Sequence, residues 1–280
     1  MPTLRLLLLI AWLVAGLPAI AADAASTATR NVQVLAQRFT LPGLGRERTL
    51  RLYLPPSYGR NNTRYPVVYM HDGQNLFDAA TAYAGEWGVD ETLNEMAQHR
   101  GFEAIVVGID NGGERRMTEL NPYDHPRFGA GEGAAYLQFL VSVVKPYIDS
   151  HYRSLPDREH TAVMGSSMGG VISHAAILRY PQVFGLAGVL SPAYWTAPGL
   201  FDEARAQPLP ADARVYLSMG ELEGQQALTD VSRMQALMAS QSAAVTLHRV
   251  PGAEHNEAAW RAEFKTVLKW LFKLPAHAAK

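Results

Sequence analysis

The chain has 280 residues, 48% of them hydrophobic and 18% charged, enough for one sizeable domain around a well-buried core. A formal charge of -1 and a pI near 6.8 exclude the broad basic field that nucleic acid requires and any acidic field for cationic partners, so the expected partner is a small molecule. With no cysteine, thiol nucleophiles, cysteine-ligated zinc, disulfide staples and lipid attachment through an N-terminal cysteine are excluded as well.

At the start, Arg5 precedes an apolar run from Leu6 to Leu17, and Ala19-Ile20-Ala21 supplies small residues at the spacing a signal peptidase accepts. Residues 1–21 are therefore expected to be a cleaved secretory signal, which places the mature chain in the periplasm or outside the cell. The run is shorter than the ~20 residues of a bilayer span, so no stable membrane anchor is expected after cleavage. Residues 22–49 read as an N-terminal segment with a leading strand, 50–274 as the main domain and 275–280 as a tail.

Strands are expected over residues 32–41 and 50–54, separated by the Gly43-Leu44-Gly45 turn signal, as a leading antiparallel hairpin. Beyond Pro55-Pro56, Val67-Val68-Tyr69-Met70 and residues 104–109 and 162–164 are short, nearly continuous apolar runs, the pattern of strands buried on both faces. Residues 111–133, rich in glycine and charge, form a long connection suited to the substrate side. Over 134–148, Leu137, Leu140, Val141, Val144 and Ile148 recur on one helical face, and Pro146 is expected to kink that helix near its end. Strands at 188–190, 215–219 and 245–250 then alternate with helices at 225–240 and 257–272. This alternation predicts an α/β fold with a mostly parallel central sheet, helices on both faces and an antiparallel N-terminal hairpin.

Chemistry enters at Gly165-Ser166-Ser167-Met168-Gly169, which follows the strand ending at Met164 and leads into a helical pattern through Val171, Ile172, Ala175 and Leu178. Strand, sharp turn and helix in that order make the nucleophile elbow of the α/β-hydrolase fold, with the hydroxyl of Ser167 exposed. Ser166 is set aside because only Ser167 has glycine two residues away on each side. A serine hydroxyl needs a general base held by a carboxylate, and in this fold the chain order is serine, acid, histidine.

His248, His255 and His277 are the candidates that lie beyond the helix following Ser167. His248 falls within a strand and His277 in the tail, whereas His255 occupies the loop between the last strand and the last helix, which can carry it over the elbow. Glu221 and Glu223 both lie just beyond the strand at 215–219 and are the candidate acids, with Glu223 preferred. The backbone N–H groups of Met168 and of Gln74, in the loop after Met70, are the expected oxyanion donors. His71 and Asp72 are adjacent, a poor arrangement for converging on one metal ion, and with neither an HExxH motif nor a dinucleotide fingerprint no metal and no cofactor is expected.

The segment Tyr65-Pro66-Val67-Val68-Tyr69-Met70-His71-Asp72-Gly73-Gln74-Asn75-Leu76-Phe77-Asp78 is joined by Arg116-Met117-Thr118-Glu119-Leu120-Asn121-Pro122, the Ser167 elbow and Ser191-Pro192-Ala193-Tyr194-Trp195. Together these motifs resemble the esterase D-like family of α/β-hydrolases, nearest to its siderophore-esterase-like branch. The resemblance implies a serine esterase working through an acyl-enzyme on a small-molecule ester: a siderophore, carbohydrate-linked or aromatic ester. It strengthens Glu223, because the family's acid stands three residues after a strand-ending glycine, here Gly220. It also implies that Tyr194 and Trp195 line the substrate pocket, while Arg115 and Arg116 are either contacts for an anionic substrate or, as is commoner for loop arginines, solvated side chains. The same residues would serve an acyltransferase, and a noncatalytic periplasmic binding protein is the reading from another class.

Overall fold

The computed structural model describes residues 25–241 and 243–275, so the expected signal segment and His277 lie outside the described residues. Ten strands follow in chain order: β1 (Val32–Val34), β2 (Phe39–Leu41), β3 (Arg46–Arg48), β4 (Leu50–Tyr53), β5 (Val67–His71), β6 (Ile105–Ile109), β7 (Thr161–Ser166), β8 (Leu186–Leu190), β9 (Arg214–Gly220) and β10 (Ala244–Val250). Eight of them form one sheet in the order β1-β4-β6-β5-β7-β8-β9-β10. Strands β5 to β10 run parallel, and β4 and β1 add antiparallel at one edge.

The helices are α1 (Val89–Arg100), α2 (Arg116–Glu119), α3 (Gly133–Phe139), α4 (Lys145–His151), α5 (Met168–Arg179), α6 (Leu200–Ala206), α7 (Gln225–Ala239) and α8 (Glu257–Leu271). They cover both faces because the central strands are apolar on both. In β5, Val67 and Tyr69 enter one core with Leu137, Val171 and Met234, while Val68 and Met70 enter a second core with Leu93, Trp260 and Phe264. The strand period of two thus feeds two separate cores, which explains why the run lacks alternation.

One local expectation is corrected. The strand expected over 32–41 is two strands. β1 pairs with β4 at the sheet edge, whereas β2 leaves the sheet and pairs with β3 through the turn in which Gly43 and Gly45 take positive φ. Phe39 and Leu41 are buried and Val34 is exposed, so the break lets the apolar pair reach the core. Around Pro146, α3 and α4 are joined by a π-helical stretch, Leu140–Val144. Proline lacks the N–H that an α-turn would use, and the wider turn before it accommodates that loss.

Candidate active site

The parallel strands all end on one side of the sheet, where β5 ends at His71 and β7, β8, β9 and β10 deliver the loops that carry Ser167, Ser191, Glu223 and His255. Crevices beyond the carboxyl ends of parallel strands are where open α/β sheets hold ligands.

Ser167 sits between β7 and α5 at φ 57 and ψ -117, a conformation costly for any residue with a Cβ. The packing explains the glycines on either side. A Cβ on Gly165 would stand 2.8 Å from the carbonyl carbon of Gly169, and one on Gly169 would stand 3.3 Å from the Cβ of His71. The turn is pinned by the Ser167 N–H donating to the Leu190 carbonyl at 3.0 Å. Ser167 is half-buried, whereas Ser166 points into the buried end of β7.

His255 lies in the loop between β10 and α8, and its Nδ1 is 2.6 Å from Glu223 Oε2. The other oxygen, Oε1, accepts from the Ser191 hydroxyl at 2.6 Å and from the Gly220 N–H at 2.8 Å. Burial pushes the Glu223 carboxyl up, but the bonds from His255, Ser191 and Gly220 outweigh it and hold the group below its ordinary value. Glu223 therefore stays ionised beside His255 and holds the imidazole through Nδ1. The acidic side chain of Glu223 is 4% exposed, while Glu221 faces solvent. Trp260 continues the chain of contacts: its Nε1 donates to the Ser191 hydroxyl at 2.9 Å, and its ring lies edge-on to His255 with centroids 5.0 Å apart.

The second half of the site is the turn after β5. Asp72 takes the left-handed conformation, φ 57 and ψ 47, and opens a single turn of 3-10 helix, Gly73–Asn75. Its carboxylate accepts from Arg116 Nε at 2.6 Å, Arg116 Nη2 at 2.9 Å and Asn111 Nδ2 at 2.6 Å. Gln74 is fixed at two points: its carbonyl accepts from Thr81 Oγ1 at 2.7 Å and its side-chain oxygen accepts from the Asn111 N–H at 3.1 Å. The N–H of Met168 opens α5, where a helix has no internal acceptor to offer it.

Arg116 is thus paired with Asp72 at the edge of the site. Replacing it with leucine would leave a buried carboxylate without its cation. Arg116→Leu is expected to destabilise the fold by roughly 3 kcal/mol, read as a lower urea midpoint at unchanged slope.

Two cavities meet at Ser167 and His255. One, of about 590 Å³, is walled by Met117, Met168, Tyr194, Trp195, Met219 and Ala227. The other, of about 650 Å³, is walled by polar groups including Asp72, Gln74, Asn75, Asn111 and Glu257, with Tyr83, Trp87 and Trp260 among them. Trp195 is 55% exposed and packs beside His125 and Phe128 of the long 111–133 connection, whereas Tyr194 is buried with its hydroxyl 2.8 Å from His174 Nδ1.

His174 and His71 are fully buried, and burial pulls both imidazoles down to about 4. For His71 the nearby Asp72 opposes that shift and Arg116 adds to it. Because the folded values are depressed, the stability these residues contribute is full above about 6.5 and is lost as pH falls from there toward 4. The expected loss is roughly 3 kcal/mol for each histidine. Urea titrations between pH 7.5 and 4.5 check it; His174→Gln should lower the pH slope by about one proton.

Sequence reasoning missed Ser191, Trp260 and the Asp72–Arg116–Asn111 group. Ser191 had one faint local signal, its position at the end of a strand, where it takes φ 43.

A parallel sheet flanked by helices, with a strained serine between the strand and helix at its centre, defines an α/β-hydrolase fold. The chain belongs to the Putative esterase family, whose model matches residues 42–271, and so stands among hydrolases of ester substrates. It is 31% identical over 185 residues to YbbA of Bacillus subtilis (strain 168), a protein described as uncharacterized, a match spanning 64% of this chain and 70% of that one. It is 29% identical over 160 residues to a siderophore enterobactin esterase of Emericella nidulans, a match spanning half of each chain. Among solved structures, the enterobactin esterase FES from Shigella flexneri superposes with a TM-score of 0.71 at 18% identity, over 88% of this chain and 60% of that one.

Proposed function

We propose that the chain is an exported serine carboxylic-ester hydrolase that forms an acyl-enzyme on Ser167. The observation that carries this reading is the short contact between His255 and the buried Glu223, set beside an elbow serine on which two cavities converge. His255 Nε2 takes the proton of Ser167 as its oxygen attacks the ester carbonyl carbon. The N–H groups of Met168 and Gln74 hold the oxyanion, each donor contributing about 3 kcal/mol to the transition state. The carbon–oxygen bond to the alcohol then breaks, and His255 returns the proton to the departing oxygen. A water, deprotonated by the same nitrogen, releases the acid and restores Ser167.

Two cavities on either side of Ser167 fit an ester with substantial groups on both the acyl and the alcohol side. The siderophore esterase relative supports a siderophore ester as the substrate, alongside carbohydrate-linked and aromatic esters. Hydrolysis of an acyl chain-length series together with siderophore, feruloyl and acetylated-sugar esters tests the class. The expected result is turnover of at least one of these large esters at a kcat/KM well above that of a short acyl ester. No turnover across the panel, combined with tight binding of one member, would favour a binding protein. Export is checked by the mass of the chain recovered after secretion, expected to begin near Ala22.

A further inference from the structure

Just ahead of α1 and in its first turn, Glu86, Asp90 and Glu91 each place a carboxylate oxygen within 4.8 Å of the others. Acidic residues in a first turn are ordinarily explained by the helix dipole, and they are ordinarily solvated. These are not. Asp90 is 0% exposed, and each of the three carries a buried oxygen with no hydrogen-bond partner: Glu86 Oε1, Asp90 Oδ1 and Glu91 Oε2. Their remaining contacts are Asp90 Oδ2 accepting from the Thr29 N–H at 2.8 Å, Glu86 Oε2 accepting from Thr27 Oγ1 at 2.9 Å, and the Asp90 and Glu91 carboxyls lying within hydrogen-bond reach of each other. The nearest cation, Arg261, approaches Glu86 Oε2 only to 3.9 Å.

Buried carboxylate oxygens without donors are costly, and something must meet them. A shared proton is the competing answer, since burial and then Asp90 push the Glu91 carboxyl up to about 7. One proton, however, joins two oxygens and leaves the third orphaned, with two negative charges still in place. A divalent cation meets all three at once. We propose that Glu86, Asp90 and Glu91 bind a hard divalent cation of the calcium class. Oxygen-only donors are what such an ion takes, at about 2.4 Å.

The position gives the ion a structural task that does not depend on the ester-hydrolysis reading. Thr27 and Thr29 tie the start of the described chain to this cluster, and Thr27 Oγ1 also accepts from the Ala79 N–H at 2.8 Å. Between Glu86 and Gly88, Trp87 bonds its N–H to the Asn75 carbonyl at 2.9 Å and packs on Trp260 at 5.9 Å. An ion here fastens the N-terminal segment and the wall of the polar cavity to one point.

The test uses the full chain, stripped with a chelator and titrated with calcium chloride by calorimetry and thermal melting, and with terbium, whose emission Trp87 sensitises. Expected are one calcium per chain, a rise in the thermal midpoint of about 5 °C at millimolar calcium, and terbium emission that calcium displaces. Asp90→Asn is expected to abolish all three, and Glu91→Gln, which serves if the first variant does not fold, to weaken calcium at least tenfold. A wild-type chain whose melting and terbium emission ignore calcium overturns the proposal. A calcium response that survives unchanged in Glu91→Gln overturns it too, because the ion would then sit elsewhere.

Discussion

Ser167→Ala is expected to lower kcat/KM for ester hydrolysis by about 10,000-fold or more while leaving the thermal midpoint within a degree or two. The loss follows from the proposed mechanism: without the hydroxyl no acyl-enzyme forms, and only binding and the oxyanion donors remain to assist direct attack by water. The stability expectation follows from the backbone. Alanine at φ 57 carries the same Cβ strain as serine, so the elbow is no harder to hold. The measurement pairs initial rates on an activated ester with labelling by a fluorophosphonate. Wild-type chain should lose activity in step with labelling of Ser167, and Ser167→Ala should take no label. A variant that keeps more than a few per cent of the activity would sink the acyl-enzyme.

Glu223→Gln should cost about 1,000- to 10,000-fold in kcat/KM, nearly all of it in kcat, whereas Glu221→Gln should change it by less than about twofold. The two side chains stand two residues apart, yet they meet different surroundings. Glu223 receives the imidazole of His255, the Ser191 hydroxyl and the Gly220 N–H, while Glu221 is exposed. A glutamine amide facing His255 Nδ1 presents a donor where an acceptor stood. The imidazole then carries its proton on Nε2, and Ser167 meets a donor in place of a base. Kinetics on both variants, with circular dichroism as the control for folding, separate the outcomes. Equal losses in the two variants would mean that the electrostatic field of the loop matters, and that the single contact to His255 does not.

Much of the fold was legible because it is written locally. The apolar runs at 67–70 and 104–109 are strands, the stripe of Trp260, Phe264, Val267, Leu268 and Leu271 is one buried helix face, and the 225–240 helix falls within a residue of its expected end. Ser167 was legible for a similar reason, since the close approach of Gly165 to Gly169 must be written as glycine at those positions. Where expectation and structure part, the deciding contacts are distant in sequence. The break between β1 and β2 depends on which core Phe39 and Leu41 reach. Arg116, which by sequence is either a substrate contact or a solvated side chain, pairs with Asp72, 44 residues earlier.

For this protein, then, the sequence by itself determined the alternation of strands and helices, the elbow at Ser167 and the loop that carries His255. Each is a matter of periodicity or of a steric demand within a few residues. Only the tertiary structure decided which glutamate meets His255. It also decided that Ser191 and Trp260, 69 residues apart, back Glu223, and that three carboxylates near α1 converge, each with one buried oxygen that has no donor. The direction of a side chain at a strand end, and what faces it across the sheet, are set by neighbours the local chain does not contain.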